Sequence, residues 1–358
     1  MSMHPHLTLD SPGAEQMTAR ASNAEAILKI ESLRLEFGRR SLADRVVRRD
    51  GVHTLALDDV SLAIAPREAL AIVGESGSGK TTLARSIVRL VEPDMGSIEF
   101  HEKDLLKTSR NQLPAIRRRV QLVYQDPYSS LNSAMKIGEA IIEPALVHGL
   151  IEKGQADARL RELMGQVGLG EALAERRPRA LSGGQRQRVA IARALAAQPE
   201  ILIADEAVSA LDVSIQAQII RLFARLQEEL GLTLIFVSHQ LATVAQLCER
   251  VAIMYRGRIV EIGPTSEIFS RPRHGYTAAL IAAHPGGGRR LRHSPPATMA
   301  AATAPPIETP GCPFRHRCAY ATDICATQTP PPVQITPNHM ATCHILPHDT
   351  SIAIAAGS

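Results

Sequence analysis

The stretch "GESGSGKTT" (74–82) has the spacing G-x-x-x-x-G-K-S/T at Gly74, Gly79, Lys80 and Thr81. Glycines at these positions let the backbone wrap around phosphate oxygens, and Ser76, Gly77, Ser78 and Thr82 complete the turn. Lys80 can neutralise charge on β- and γ-phosphates, and the Thr81 hydroxyl can ligate Mg²⁺. "ILIADE" (201–206) ends a short apolar run on two carboxylates. A carboxylate there is expensive to desolvate unless a cation or donors meet it, so Asp205 reads as a Mg²⁺ ligand, direct or through water. Glu206, one residue on, is free to act as general base on a water attacking the γ-phosphate. Gln125, ending "VQLVYQ" (120–125), has an amide suited to Mg²⁺ or that water. His239, ending "TLIFVSH", can hydrogen-bond the transferring group. Taken alone, either residue would read as structural.

"LSGGQ" (181–185) is a second turn of this kind, directly before an Arg-rich amphipathic segment. Ser182 with Gly183, Gly184 and Gln185 exposes N–H groups suited to an anion, yet no lysine follows. A plain helix N-cap by Ser182 is compatible with the same residues.

The elements that must carry these groups alternate. "ALAIVG" (69–74), "VQLVYQ" (120–125), "EILIAD" (200–205) and "TLIFVS" (233–238) read as buried strands. "KTTLARSIVRLV" (80–91) and "SIQAQIIRLFARLQEEL" (214–230) read as helices, the second with Ile215, Ile219, Leu222, Phe223, Leu226 and Leu230 along one face. The alternation predicts an α/β fold with a parallel sheet between helices. "VAIMYRGRIVEIG" (251–263) reads as a hairpin turning at Arg256-Gly257. Two helical stretches, 136–150 and 153–169, have no strand between them and form an insert spanning about 126–185. Residues 1–26 read as a loose arm, and 39–51 as an exposed hairpin insertion. Residues 271–310 read as a C-terminal helix and linker, 311–344 as a Cys-rich unit and 345–358 as a tail.

Composition narrows the function. A net charge of +4 over 358 residues does not argue for nucleic acid as partner. No apolar run is long enough to span a membrane, and no secretory signal is evident, so a cytoplasmic protein is expected. Cys248 reads as a small core residue, whereas Cys312, Cys318, Cys325 and Cys343 cluster. Disulfides are not expected in a reducing compartment. Four thiolates can bind zinc or a four-iron cluster, with His339 and His344 as nearby alternative ligands, or they can bind nothing.

Taken in order, "GESGSGKTT", Gln125, "LSGGQ", "ILIADE", "SALD" (209–212) and His239 resemble the nucleotide-binding subunit of an ATP-binding cassette (ABC) transporter over about residues 27–285. "VYQDPYSSLN" (123–132), "DEAVSALDVSIQAQII" (205–220) and "GCPFRHRC" (311–318) resemble the ATPase subunits of the dipeptide, oligopeptide and nickel importers. The resemblance implies a P-loop NTPase cassette over 27–270, with a RecA-like parallel core, an antiparallel β subdomain, a helical insert and a small Cys-rich extension. It implies ATP and Mg²⁺ as cofactors. It also implies a head-to-tail partner cassette, a second copy or a paralogue, whose nucleotide faces Ser182, Gly183, Gly184 and Gln185. Asp212, in "SALD", joins that nucleotide site. Phe37 matches the aromatic residue that stacks on adenine. Two membrane permeases, an extracellular solute-binding protein and a place on the cytoplasmic face of the inner membrane follow from the same resemblance. Some members carry an iron–sulfur cluster in the extension. Two positions depart from the pattern: Ala207 stands where Pro is usual and Gln240 where Asp is usual. A soluble cassette protein acting on nucleic acid or ribosomes is the alternative, but two cassettes in one chain or a long coiled-coil insert, its usual marks, are absent from this sequence.

Overall fold

The computed structural model describes residues 26–38, 54–126, 131–283 and 310–345. The hairpin expected at 39–51, nearly all of the arm, most of the linker, most of the tail and part of "VYQDPYSSLN" lie outside the described residues.

The chain begins with β1 (Leu28–Phe37) and β2 (Thr54–Ile64), an antiparallel pair, followed by β3 (Ala69–Val73) and α1 (Lys80–Ile87). Next come β4 (Met95–Phe100), the short β5 (Lys103–Asp104), α2 (Leu113–Arg119) and β6 (Val120–Val123). The insert contributes α3 (Ile137–Val147) and α4 (Ala156–Gln166), and α5 (Gly183–Ala196) leads back to the core. Then β7 (Ile201–Asp205), α6 (Val213–Leu230), β8 (Thr233–Ser238), α7 (Leu241–Leu247), β9 (Arg250–Tyr255) and β10 (Arg258–Pro264) follow. The last elements are α8 (Thr265–Ser270), α9 (Gly275–Ala282), α10 (Asp323–Thr327), β11 (Pro332–Thr336) and β12 (His339–Thr342).

Two sheets result. The smaller is antiparallel in the order β2-β1-β4-β5. The larger runs β11-β12-β10-β9-β3-β8-β7-β6, with parallel pairing from β9 through β3, β8 and β7 to β6. Strands β3, β7 and β8 are buried at every residue, which is why they read as unbroken apolar runs. Their side chains still alternate. Ala69, Ala71 and Val73 face a core shared with the insert, while Leu70 and Ile72 face one shared with the small sheet and α1.

Helix α1 stops at Ile87, short of the predicted Val91. Arg89 adopts φ +52° and directs its guanidinium to the carbonyls of Leu105 and Thr108 at 2.7 and 2.6 Å. Along α6, Ile219, Leu222, Phe223 and Leu226 are buried, but Leu230 is exposed at the end of the helix. The Cys-rich unit differs most from expectation. It joins the cassette, because β12 pairs antiparallel with β10 (Glu261↔Ala341, Ile262↔Met340) and extends the large sheet. Phe314 is buried against Tyr255 and Tyr276, with ring centroids 5.3 and 5.4 Å apart.

Candidate functional site

The turn from β3 to α1 places Lys80 and Thr81 at the carboxyl end of the parallel sheet. Two glycines there are obligatory. Gly79 has φ +102°, and a Cβ on Gly74 would lie 2.2 Å from the Met254 carbonyl oxygen. Ser76 and Gly77 are exposed, while Ser78 is buried. Thr82 follows Thr81 in the first turn of α1.

Lys80 is only 4% exposed, and its Nζ donates to the carbonyls of Gly74 and Glu75, each at 2.8 Å. Burial pulls its ammonium below the usual lysine range, against the opposing pull of Glu206, Asp205 and Glu75. The Thr81 hydroxyl donates to Asp205 Oδ1 at 2.9 Å. Asp205, 3% exposed at the end of β7, is pushed up by desolvation, and the Thr81 hydrogen bond only partly offsets this. A buried carboxylate beside a partly buried hydroxyl, with an ammonium in the same loop, forms a donor set that fits Mg²⁺ and phosphate oxygens.

Glu206 leaves β7 with φ +48°, a left-handed conformation that a non-glycine residue rarely adopts. Its N–H donates to the Val237 carbonyl at 3.0 Å, and its own carbonyl accepts from the Ser209 N–H and Oγ at 3.1 and 3.0 Å. These bonds aim the carboxylate toward His239, whose Nδ1 lies 3.5 Å from Glu206 Oε2. The substituted neighbours adjust locally. Ala207 is buried, and Gln240 is the N-cap position of α7, where its side chain accepts from Thr243 Oγ1.

Other predicted residues lie further out. Gln125 does not end a strand, because β6 stops at Val123. Its Nε2 reaches Ser209 Oγ at 3.4 Å, which links it to Glu206 through one side chain. Ser182 caps α5, accepting from Gln185 N–H at 3.3 Å, while Gln185 Oε1 accepts from Ser182 N–H at 3.0 Å. Gly183 and Gly184 pack on Leu211 and Ile215 around the start of α6, where Asp212 is the N-cap residue. "LSGGQ" is therefore seated on the "SALD" turn. Phe37 ends β1 with 44% of its surface exposed, open to a flat partner.

Sequence reasoning missed three contacts of Glu75. Its N–H donates to the Tyr276 hydroxyl at 2.8 Å. Its carboxylate accepts both Arg317 Nη1 and Nη2, at 3.0 and 2.8 Å. Tyr276 and Arg317 lie 201 and 242 residues away in the chain, so no local pattern announces them.

The cysteines need a correction. Cys312, Cys318, Cys325 and Cys343 line one small enclosed cavity, but no group of three or more His, Cys, Asp or Glu among the described residues is arranged to hold a metal ion. A tetrahedral zinc site needs such a group, so zinc is not supported, and neither is a bound iron–sulfur cluster. Burial pushes the Cys318 and Cys343 thiols up to about 12 and about 11, the protonated rather than the ligating form. His339 is not a spare ligand, because its Nε2 pairs with the buried Glu261 at 2.9 Å. His344 Nε2 lies 2.9 Å from the Gln328 carbonyl oxygen.

The ABC transporter family model matches residues 57–209, which span the phosphate loop, β7 and the Glu206 turn. A second model, the C-terminal region of oligopeptide/dipeptide transporters, matches residues 260–325. A Sinorhizobium fredii protein named "Probable peptide ABC transporter ATP-binding protein" is 44% identical over 90% of both chains. The chain belongs to the ABC transporter ATP-binding family. A Brucella ovis protein, provisionally named for peptide import, is 44% identical over 80% of this chain and 90% of its own. Among solved structures, the dimeric post-hydrolysis state of the cassette MJ0796 bound to ADP and Pi matches with a TM-score of 0.59 at 29% identity, covering 66% of this chain and 98% of that one. CbiO1 from Clostridium perfringens, part of an ABC transporter complex, matches with a TM-score of 0.57 at 30% identity, over 68% and 91% of the two chains. This ABC protein is thus an ATP-hydrolysing cassette. No helix among its described residues is long and apolar enough to cross a membrane.

Proposed function

We propose that this cassette powers the import of peptides or a related small solute, as the peptide-import names of its relatives suggest. The observation that carries the reading is the joining of the two matched regions: Glu75 of the phosphate loop, in the first, is bonded by Tyr276 and Arg317, in the second. Two membrane permeases would dock on the helical insert at the cytoplasmic face of the inner membrane. An extracellular binding protein would choose the solute.

In this reading Lys80 and the loop amides hold the triphosphate. Thr81 and Asp205 hold Mg²⁺, which supplies charge neutralisation at the phosphates, with Gln125 at the edge of the site. Glu206 takes the proton of the attacking water, and His239 orients the transferring group. Phe37 stacks on adenine. Ser182, Gly183, Gly184 and Gln185, with Asp212 beneath them, face the nucleotide of a partner cassette. Affinity purification of this chain from its own membranes should recover two permeases and peptide-stimulated ATPase activity. Recovery with ribosomes or nucleic acid instead would overturn the reading.

A further inference from the structure

Glu75 is the second residue of the phosphate loop, between Gly74 and Ser76, and it is held at three points. Lys80 bonds its carbonyl, Tyr276 accepts its N–H, and Arg317 clamps its carboxylate through two parallel hydrogen bonds. Two of these three partners come from outside the nucleotide-binding core. Tyr276 lies on α9, 1% exposed, and Arg317 lies in the Cys-rich extension.

The clamp is built rather than incidental. Arg317 extends from the short turn after Phe314, and its guanidinium lies 5.5 Å from the Phe314 ring centroid. Phe314 is in turn fixed between Tyr255 at the end of β9 and Tyr276. Bidentate geometry sets direction as well as charge. The Arg317 side chain is 19% exposed and that of Glu75 is 38% exposed, so solvent screens the pair in part.

A carboxylate at this position sets a problem for nucleotide binding. The loop must receive a triphosphate, and Glu75 adds a negative charge to the same electrostatic neighbourhood, where it already acts on Lys80. Arg317 supplies the compensating charge and fixes where the carboxylate points. We propose that Arg317 is a positioning residue of the phosphate loop: from the C-terminal extension it holds Glu75 and neutralises it, so that the loop accepts MgATP. The inference rests on the reading of this loop as the ATP site. It makes the extension part of the nucleotide site, a role not expected for a unit so far along the chain.

The test is equilibrium binding of MgATP to the full-length protein, with steady-state turnover alongside. Arg317→Ala should weaken MgATP binding about fivefold, and up to about tenfold at low salt, as expected for a partly exposed charge pair. The loss should fall on KM with kcat within about twofold, because the clamp touches no reacting atom. In the Arg317→Ala background, Glu75→Gln should restore most of the lost affinity, since the uncompensated charge is gone. Arg317→Lys, which keeps charge without the fork, should fall between. A misfolded extension would not be repaired by a change at Glu75, so rescue separates positioning from structural damage. Arg317→Ala binding as wild type does, or a loss that Glu75→Gln leaves unchanged, overturns the proposal. Wild-type protein that binds no MgATP would overturn the underlying ATP-site reading instead.

Discussion

Glu206→Gln removes one charge and one proton acceptor and should change little else. The backbone at this residue is set by three hydrogen bonds, from Glu206 N–H to Val237 and from Ser209 N–H and Oγ to the Glu206 carbonyl. None of them involves the carboxylate, and glutamine has nearly the same shape. The left-handed φ of +48° should therefore persist, with the amide 3.5 Å from His239 as the acid is now. A lost general base lowers the rate by about 10² to 10⁴, or about 3–5 kcal/mol in the barrier. Ground-state binding should move the other way. Glu206 now raises the Asp205 carboxyl and opposes the burial of the Lys80 ammonium, so its removal makes the pocket less negative toward a triphosphate. MgATP should bind equally well or a few-fold more tightly, and the ATP-bound dimer should accumulate. Phosphate release and equilibrium binding, measured on the same preparation, check both halves. Turnover within about fivefold of wild type, or a binding loss as large as that of Lys80→Ala, would refute this account of Glu206.

Ser182→Arg should abolish hydrolysis while leaving MgATP affinity of the isolated chain within about twofold, because Ser182 caps α5 next to the glycines seated on Leu211 and Ile215 and, in the proposed function, faces the partner's nucleotide; a loss of monomer affinity would count against this. His274 is fully buried, its ring depressed to about 4 by desolvation, and its Nδ1 accepts the Tyr276 N–H at 3.0 Å. Between about pH 6.5 and 4 the unfolded chain takes up a proton that the folded site refuses, so acidification through that window should lower stability by up to ~1.4 kcal/mol per pH unit. His274→Asn should flatten the melting-temperature profile over that window, and an unchanged slope would refute the assignment.

What the sequence revealed was local. Strands β3, β7 and β8 were legible because burial on both faces leaves uninterrupted apolar runs, and the Arg256-Gly257 turn because both residues adopt positive φ. The phosphate loop was legible because its residue spacing is a local motif, although the carbonyls that leave no room for a Cβ at Gly74 and Gly79 belong to Met254 and Ala56, outside the loop. The end of α1 was not, since Arg89 is drawn away by carbonyls 16 and 19 residues further on. Nor was the fate of His339. Its partner Glu261 is wholly buried in β10, 78 residues earlier, and also accepts the N–H groups of Arg273 and His274. A histidine beside cysteines looks like a ligand until that acid is seen. The Cys-rich unit read as separate because sequence pattern does not report pairing between β10 and β12, whereas it does report Pro- and Gly-rich chain in between.

That pairing also orders events during synthesis. When β10 leaves the ribosome it is an edge with unpaired backbone groups, the kind of edge that recruits other chains. Its cover, β12, is made roughly 80 residues later, about 4–16 s at ordinary elongation rates. Until then the nascent cassette has an open sheet edge. Once β12 docks, the new edge is β11, a five-residue strand beginning at Pro332 and a poor template for further pairing. A message truncated before codon 339 would therefore yield a cassette with every nucleotide motif intact and a permanently adhesive flank.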